Sequence, residues 1–171
     1  MSKSKIIISL LVISLLGNVL FFYKWQQQAS IIEQKHMDFL DETVHLKAFS
    51  VDDPTIFSRQ RLVMLDRLSK ATSSIYYANQ LYEVDSPITL EVTKTLRDFE
   101  RILNEKYIPV VEKIIQSDEP ISKEDEQMLL QLGNHYEKAG FPESKKVSTI
   151  GLDTYMKSVN KFIELEKEAK S

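Results

Sequence analysis

The sequence predicts an all-α protein: an N-terminal transmembrane helix continuing into a stalk, then an antiparallel bundle of the four-helix type. Three observations carry this reading. Ile6 to Tyr23 is a run without a charged side chain. Beyond it the apolar residues recur at steps of three and four, the spacing of one helix face. The chain holds only four glycines and five prolines in 171 residues, too few for the turns of a sheet-rich fold.

A bilayer core about 30 Å thick needs roughly 20 apolar residues in a helix, and residues 6–25 supply that length. Ser9, Ser14, Gly17 and Asn18 lower the hydropathy, but a hydroxyl bonds back to its own helix and Asn18 lies near the outer end. Tyr23 and Trp25 bracket Lys24 at the far end, where amphipathic rings and a snorkelling lysine favour the headgroup layer. Lys3 and Lys5 precede the run. The rival, a cleaved signal peptide, requires a small-x-small cleavage site. Leu15 precedes Gly17, Gln27 precedes Ala29 and Gln28 precedes Ser30 at the position where a second small residue is needed. The chain has no cysteine, so a lipoprotein site is excluded too. An apolar helix inside a globular core is disfavoured because every face of the run is apolar.

Lys3, Lys5 and the terminal amine against Lys24 and Lys35 give a narrow margin under the positive-inside rule. A short tail, one span and a long C-terminal domain is the signal-anchor layout. Residues 1–5 are therefore expected in the cytoplasm, 6–25 in the membrane as a single-pass anchor, and 26–50 as a helical stalk. Residues 51–171 form the extracytoplasmic bundle in this reading. Beyond Tyr23 the chain carries 20 basic and 25 acidic residues, a net charge of −5, which does not invite nucleic acid or an anionic lipid surface. Abundant isoleucine and lysine beside few alanines suggest an AT-rich bacterial genome. Without cysteine there is no disulfide framework, thiolate metal site or cysteine nucleophile.

Taken in order, Ala29, Ile32, Phe39, Val44 and Leu46 carry the stalk helix from Gln26 to Phe49. Asp52, Asp53 and Pro54 end it and start the next helix with an acidic cap and a first-turn proline. Ile56, Leu62, Val63, Leu65, Leu68, Ile75 and Leu81 then form an inward stripe to about Tyr82. Ser86 and Pro87 open a helix whose stripe is Val92, Leu96, Phe99, Leu103 and Tyr107. Pro109 cannot donate to the carbonyl four residues back, so a kink or break is expected near Tyr107, with helix resuming through Ile115. Ser122 with Asp125 reads as a capping-box variant opening a helix through Met128, Leu129, Leu132 and Tyr136 that Gly140 closes. Phe141 to Thr149 is a connector. Residues 150–167 form the last helix, with Leu152, Tyr155, Met156, Val159, Phe162 and Ile163 inward.

Two Glu-x-x-His triplets, Glu33 with His36 and Glu42 with His45, have the spacing found in carboxylate-bridged di-iron bundles. They lie nine residues apart on one predicted helix. At about 100° per residue that separation is about 900°, half a turn out of phase, so the triplets face opposite ways. No metal or other cofactor is expected. His135, the remaining histidine, is a lone residue beside Tyr136, read as structural rather than as a general base. No phosphate loop or nucleophile elbow is present in the sequence, and the reading is against an enzyme.

Residues 73–82 read SSIYYANQLY, and Tyr76, Tyr77 and Tyr82 cannot all point inward on one stripe. Either one ring enters the core while the others cover a loop, or they form a recognition patch, since tyrosine offers large stiff contact area with a hydroxyl. Ala29, Ile32, His36, Phe39, Thr43 and Leu46 follow a coiled-coil alternation for under three heptads. A homodimer through the stalk, or packing of that stripe onto the chain's own bundle, follows from it. The function expected is protein-protein interaction with an envelope or membrane protein, as adaptor or modulator. The alternatives are a small-molecule-sensing bundle that signals through a membrane partner, and a metal-binding helical protein.

Overall fold

The computed structural model describes residues 3–85, 90–117, 119–141 and 150–169, apart from the side chains of 3–10, 29, 32, 33, 36, 81–85 and 90. All regular structure among the described residues is helical, as the composition predicts. Two compact units are present, Met1–Lys35 and His36–Ser171. Residues 36–50, read from sequence as the end of the stalk, fall within the second unit.

The first unit lies in α1 (Lys3–Leu40). The apolar side chains of Leu11, Ile13, Leu15, Leu16, Leu20 and Phe21 are exposed, as are Tyr23 and Trp25. The expected anchor residues Lys3 and Lys5, and the first five residues of the expected span, have side chains outside the described residues. Among the described residues no helix is long and apolar enough to cross a membrane.

In the second unit the chain leaves α geometry at Asp41. Residues Asp41–Phe49 wind as a 3₁₀ helix, and Leu40, Thr43, Leu46 and Phe49 are all fully buried. Their spacing of three is the reason: at three residues per turn these side chains eclipse into a single row. Thr43 Oγ1 donates to the Leu40 carbonyl at 2.6 Å and accepts from Tyr155 Oη at 3.0 Å. Runs of 3₁₀ helix longer than three or four residues are uncommon, so this one depends on its packing against the helices Arg61–Asp85 and Lys123–Ala139. At Gly133 the two backbones touch, and a Cβ there would lie 2.2 Å from the Phe49 carbonyl carbon and the Ser50 nitrogen. The expected continuation of the α-helix to Phe49 is corrected: the last nine residues of that stretch are 3₁₀ helix. Thr43 and Leu46, two positions of the proposed dimer seam, are occupied by this internal packing.

Asp53 Oδ1 accepts from the Thr55 amide at 3.0 Å and the Thr55 hydroxyl at 2.7 Å, starting α2 (Thr55–Arg59) where the acidic cap was expected. Gln60 then leaves helical geometry at φ −121°, which divides the expected single helix into α2 and α3 (Arg61–Asp85). The Arg61 guanidinium donates to the carbonyls of Ile114 (3.0 Å), Ser117 (2.5 Å) and Glu119 (3.1 Å), closing the end of a helix more than fifty residues away. Carbonyls left unpaired at a helix C-terminus make that a favourable place for a cation.

The helix around Pro109 is not broken. In α4 (Leu90–Ile102), Leu96 and Phe99 are buried, and the chain passes through a π turn, Leu103–Tyr107, into α5 (Ile108–Gln116). Proline supplies no donor for the Glu105 carbonyl, and the chain responds by widening one turn, with the Ile108 amide bonded to the Leu103 carbonyl five residues back. The capping box holds α6 (Lys123–Ala139): Ser122 Oγ accepts from the Asp125 amide at 3.1 Å and donates to its carboxylate at 2.7 Å. Gly140 closes the helix at φ 77°, the left-handed conformation that favours glycine. In α7 (Leu152–Glu168) all six expected inward residues are buried.

Within this unit α3 packs on the 3₁₀ segment, α4 and α5, while α7 packs on α4 and α6, and α6 returns to the 3₁₀ segment. Phe141, just after α6, sits at the centre. It stacks on Tyr136 at 4.4 Å and on Phe99 at 5.7 Å, and meets Tyr155 and Phe162 edge to face at 5.5 and 6.2 Å. Rings in these geometries gain beyond their buried area. The expected start at Ser86 and Pro87, the inward Leu81 and the connector after Phe141 lie outside the described residues.

Candidate functional site

Two side-chain clusters of the second unit bring together groups able to do chemistry or recognition. The first is centred on Glu166, in the last turn of α7 and 2% exposed. A carboxylate near a helix C-terminus faces the negative end of the dipole, and a buried one is held only by donors. Three arrive. Lys106 Nζ lies 2.7 Å from Oε2, His135 Nδ1 lies 2.7 Å from Oε1, and Tyr107 Oη donates to Oε1. Lys106 also reaches Gln131 Oε1 at 3.3 Å.

Two of these donors, Lys106 and Tyr107, come from the π turn. Lys106 and Tyr107 are neighbours in sequence, which on an α-helix diverge by about 100°. Here both reach one carboxylate. Burial pushes the Tyr107 phenol far above its ordinary range, and the Glu166 charge and hydrogen bond add to that, so it stays a proton donor to Glu166. His135, read from sequence as a lone residue, is a member of this cluster, and its ring meets Phe162 edge to face at 6.2 Å. A cleft of about 550 Å³ opens beside it, lined in part by Arg101, Lys106, Val110, Met128, Ile163 and Glu166. That volume is in the range of small-molecule sites. As a base, Glu166 has first to release one of its donors.

Glu166 was legible in one respect: it continues the α7 stripe, four residues after Phe162 and three after Ile163. A charged residue at a stripe position signals a buried charge with partners elsewhere. No spacing rule connects it to Lys106 or His135.

The second cluster is the tyrosine stretch of α3. Tyr76 and Tyr77 are 47% and 54% exposed, so neither enters the core, and Tyr82 lies outside the described side chains. The two rings meet edge to face at 5.6 Å, and Tyr77 packs on Phe39 at 5.9 Å. Neither ring of the pair is the core ring of the first arrangement, and with Tyr82 outside the described side chains both arrangements open from sequence still stand. Leu62 and Val63, expected inward, are 71% and 42% exposed on the same helix. The register explains it: Leu62, Ser69 and Tyr76 are spaced by seven, as are Val63, Lys70 and Tyr77, so all six share the outer side. Met64, Leu68, Ala71, Ile75 and Ala78 carry the core contact instead.

Of the two histidine triplets, Glu42 and His45 are joined to each other at 3.0 Å on the 3₁₀ segment, while Glu33 and His36 have side chains outside the described residues. Among the described residues no group of three His, Cys, Asp or Glu side chains is placed to hold a metal ion. Comparison with known families, curated proteins and solved structures finds no match.

Proposed function

We propose that this chain is a single-pass membrane protein of a bacterial envelope, anchored by residues 6–25, whose antiparallel helical bundle lies outside the cytoplasm. The bundle binds another envelope or membrane protein through the outer side of α3, as an adaptor or modulator without catalysis. The observation that carries this reading is the pair of exposed, mutually packed tyrosine rings at positions 76 and 77, extended by Phe39. Contiguous exposed aromatic surface marks interaction sites, and tyrosine is enriched in them. The anchor is supported by the uncharged run of the sequence and by exposed apolar side chains from Leu11 to Phe22.

Photo-crosslinking in native cells tests the binding, with a photoreactive phenylalanine analogue in place of Tyr77. A discrete adduct that disappears on Tyr76→Ala is expected. A chain that stays uncrosslinked contradicts the reading. Protease treatment of intact cells tests the topology: a C-terminal tag is expected to be lost while the anchor stays in the membrane fraction, and a tag protected until lysis reverses the orientation.

The cleft beside Glu166 favours a second reading, a bundle that senses a small molecule. Its mark is saturable thermal stabilisation of the full chain by a ligand, abolished by Lys106→Met.

A further inference from the structure

We propose that the hollow beside Tyr76 and Tyr77 is a seat for an organic cation, occupied by the head of a lysine or arginine side chain on the partner protein. The proposal rests on the reading that the outer side of α3 binds a protein, and names what that partner presents.

The hollow encloses about 260 Å³ between α3 and the α4 to α5 helix, lined by Tyr76, Tyr77, Ser73, Glu100, Asn104 and Ile108 among others. That is below the roughly 300–1,000 Å³ of small-molecule pockets and leaves room for one side chain. The two tyrosine rings stand at 70° to one another. Both residues line the hollow, and an aromatic ring attracts a cation to its negative face.

The opposite wall carries the charge. Glu100 projects from α4 into the same hollow, with Asn104 Nδ2 at 3.5 Å from its Oε1. Burial raises its carboxyl above the ordinary range, while the nearby Asn79 side chain and the charge of Arg97 pull the other way. Desolvation prevails over both, so the carboxylate gains from a further positive neighbour. An ammonium group placed there lies beside the Glu100 carboxylate, the Ser73 hydroxyl and the two tyrosines. An anion meets the carboxylate. The excess of acidic residues beyond Tyr23, 25 against 20 basic, favours a basic partner on approach. The surrounding surface argues for a protein rather than a free small cation. Tyr77 continues onto Phe39, so the hollow is one point in a broader aromatic footprint.

The test uses the full chain in detergent micelles, titrated with a Gly-Ser heptapeptide carrying one central lysine, with the same peptide acetylated at the lysine Nε, and with choline. The ring-proton resonances of Tyr76 and Tyr77 report occupancy. Saturable shifts with the lysine peptide are expected, weakened about tenfold by acetylation, about tenfold by Tyr76→Ala and about threefold by Glu100→Gln. Tyr76→Phe keeps the ring and stays within about twofold of the native chain. Equal binding of the acetylated peptide, or no saturable shift with the lysine peptide, overturns the proposal. Choline binding more tightly than the lysine peptide also overturns it, giving the hollow to a free quaternary ammonium. The in-cell crosslink from position 77 separates the two claims: an adduct that forms while the lysine peptide gives no saturable shift leaves the binding face standing and removes the cation. A missing adduct removes the binding face as well.

Discussion

Glu166 and Tyr77 lie in the same helical unit and meet their surroundings in opposite ways. Glu166 is almost wholly buried and answered by Lys106, His135 and Tyr107, whereas Tyr76 and Tyr77 stand about half in solvent and pack on each other and on Phe39. The comparison separates a dense group of titratable residues from an available one. Three ionisable side chains lie within hydrogen-bond reach of Glu166, and their contacts tie α6, α7 and the π turn together. The two half-exposed rings are held by few contacts of their own chain and leave surface that a partner can cover.

The largest effect that sharpens this contrast is expected at the buried centre. Glu166→Ala leaves Lys106, His135 and Tyr107 without their common acceptor, and removing one member of a buried ion pair costs about 3–5 kcal/mol. Thermal melting measures it, and the crosslink from position 77 is expected to persist below the lowered melting temperature. Gly133→Ala comes next. Its Cβ would sit 2.2 Å from the Phe49 and Ser50 backbone, and overpacking of this kind costs about 1–3 kcal/mol. Hydrogen exchange is expected to locate the loss in the 3₁₀ segment.

A smaller effect depends on pH. The Asp125 carboxyl is held below its ordinary range by hydrogen bonds from Lys113 and Ser122. A carboxylate with a depressed folded pKa stabilises above its unfolded value, near ~3.9, and loses that contribution as pH falls through the folded one. Asp125→Asn is therefore expected to melt lower than the native chain at pH 7, by about 1 kcal/mol or less because the Lys113 partner is solvent-exposed. The gap is expected to close in acid. Smallest in stability, Tyr76→Ala and Tyr77→Ala are expected to stay within about 0.5 kcal/mol of the native chain, and Tyr76→Ala to remove the crosslink from position 77. A large loss of stability in either variant breaks the contrast between the two clusters.

The stripes of α4, α6 and α7 were legible because each follows from helical period and local capping. Leu96, Phe99, Leu103 and Tyr107 on one helix, and the six inward residues of the last, lie where the spacing put them. The Ser122 and Gly140 caps are local chemistry and were readable for the same reason. The 3₁₀ segment was not, since buried residues at 40, 43, 46 and 49 resemble a helical pattern until the partner surface of Gly133 is known. Leu62 and Val63 misled because hydrophobicity alone does not say whether a face has a neighbour. At the candidate sites the tyrosines announced themselves by crowding on one helix, while Glu166 met its partners across sixty, fifty-nine and thirty-one residues of sequence. Such pairing is a property of the tertiary arrangement.

The most direct measurement is the in-cell crosslink from position 77, compared between Tyr76→Ala and Glu166→Gln chains of matched abundance. The contact face of α3 is expected to give a discrete adduct that Tyr76→Ala abolishes and Glu166→Gln leaves in place. An adduct lost in Glu166→Gln and kept in Tyr76→Ala contradicts the account and moves the function to the cleft beside Glu166.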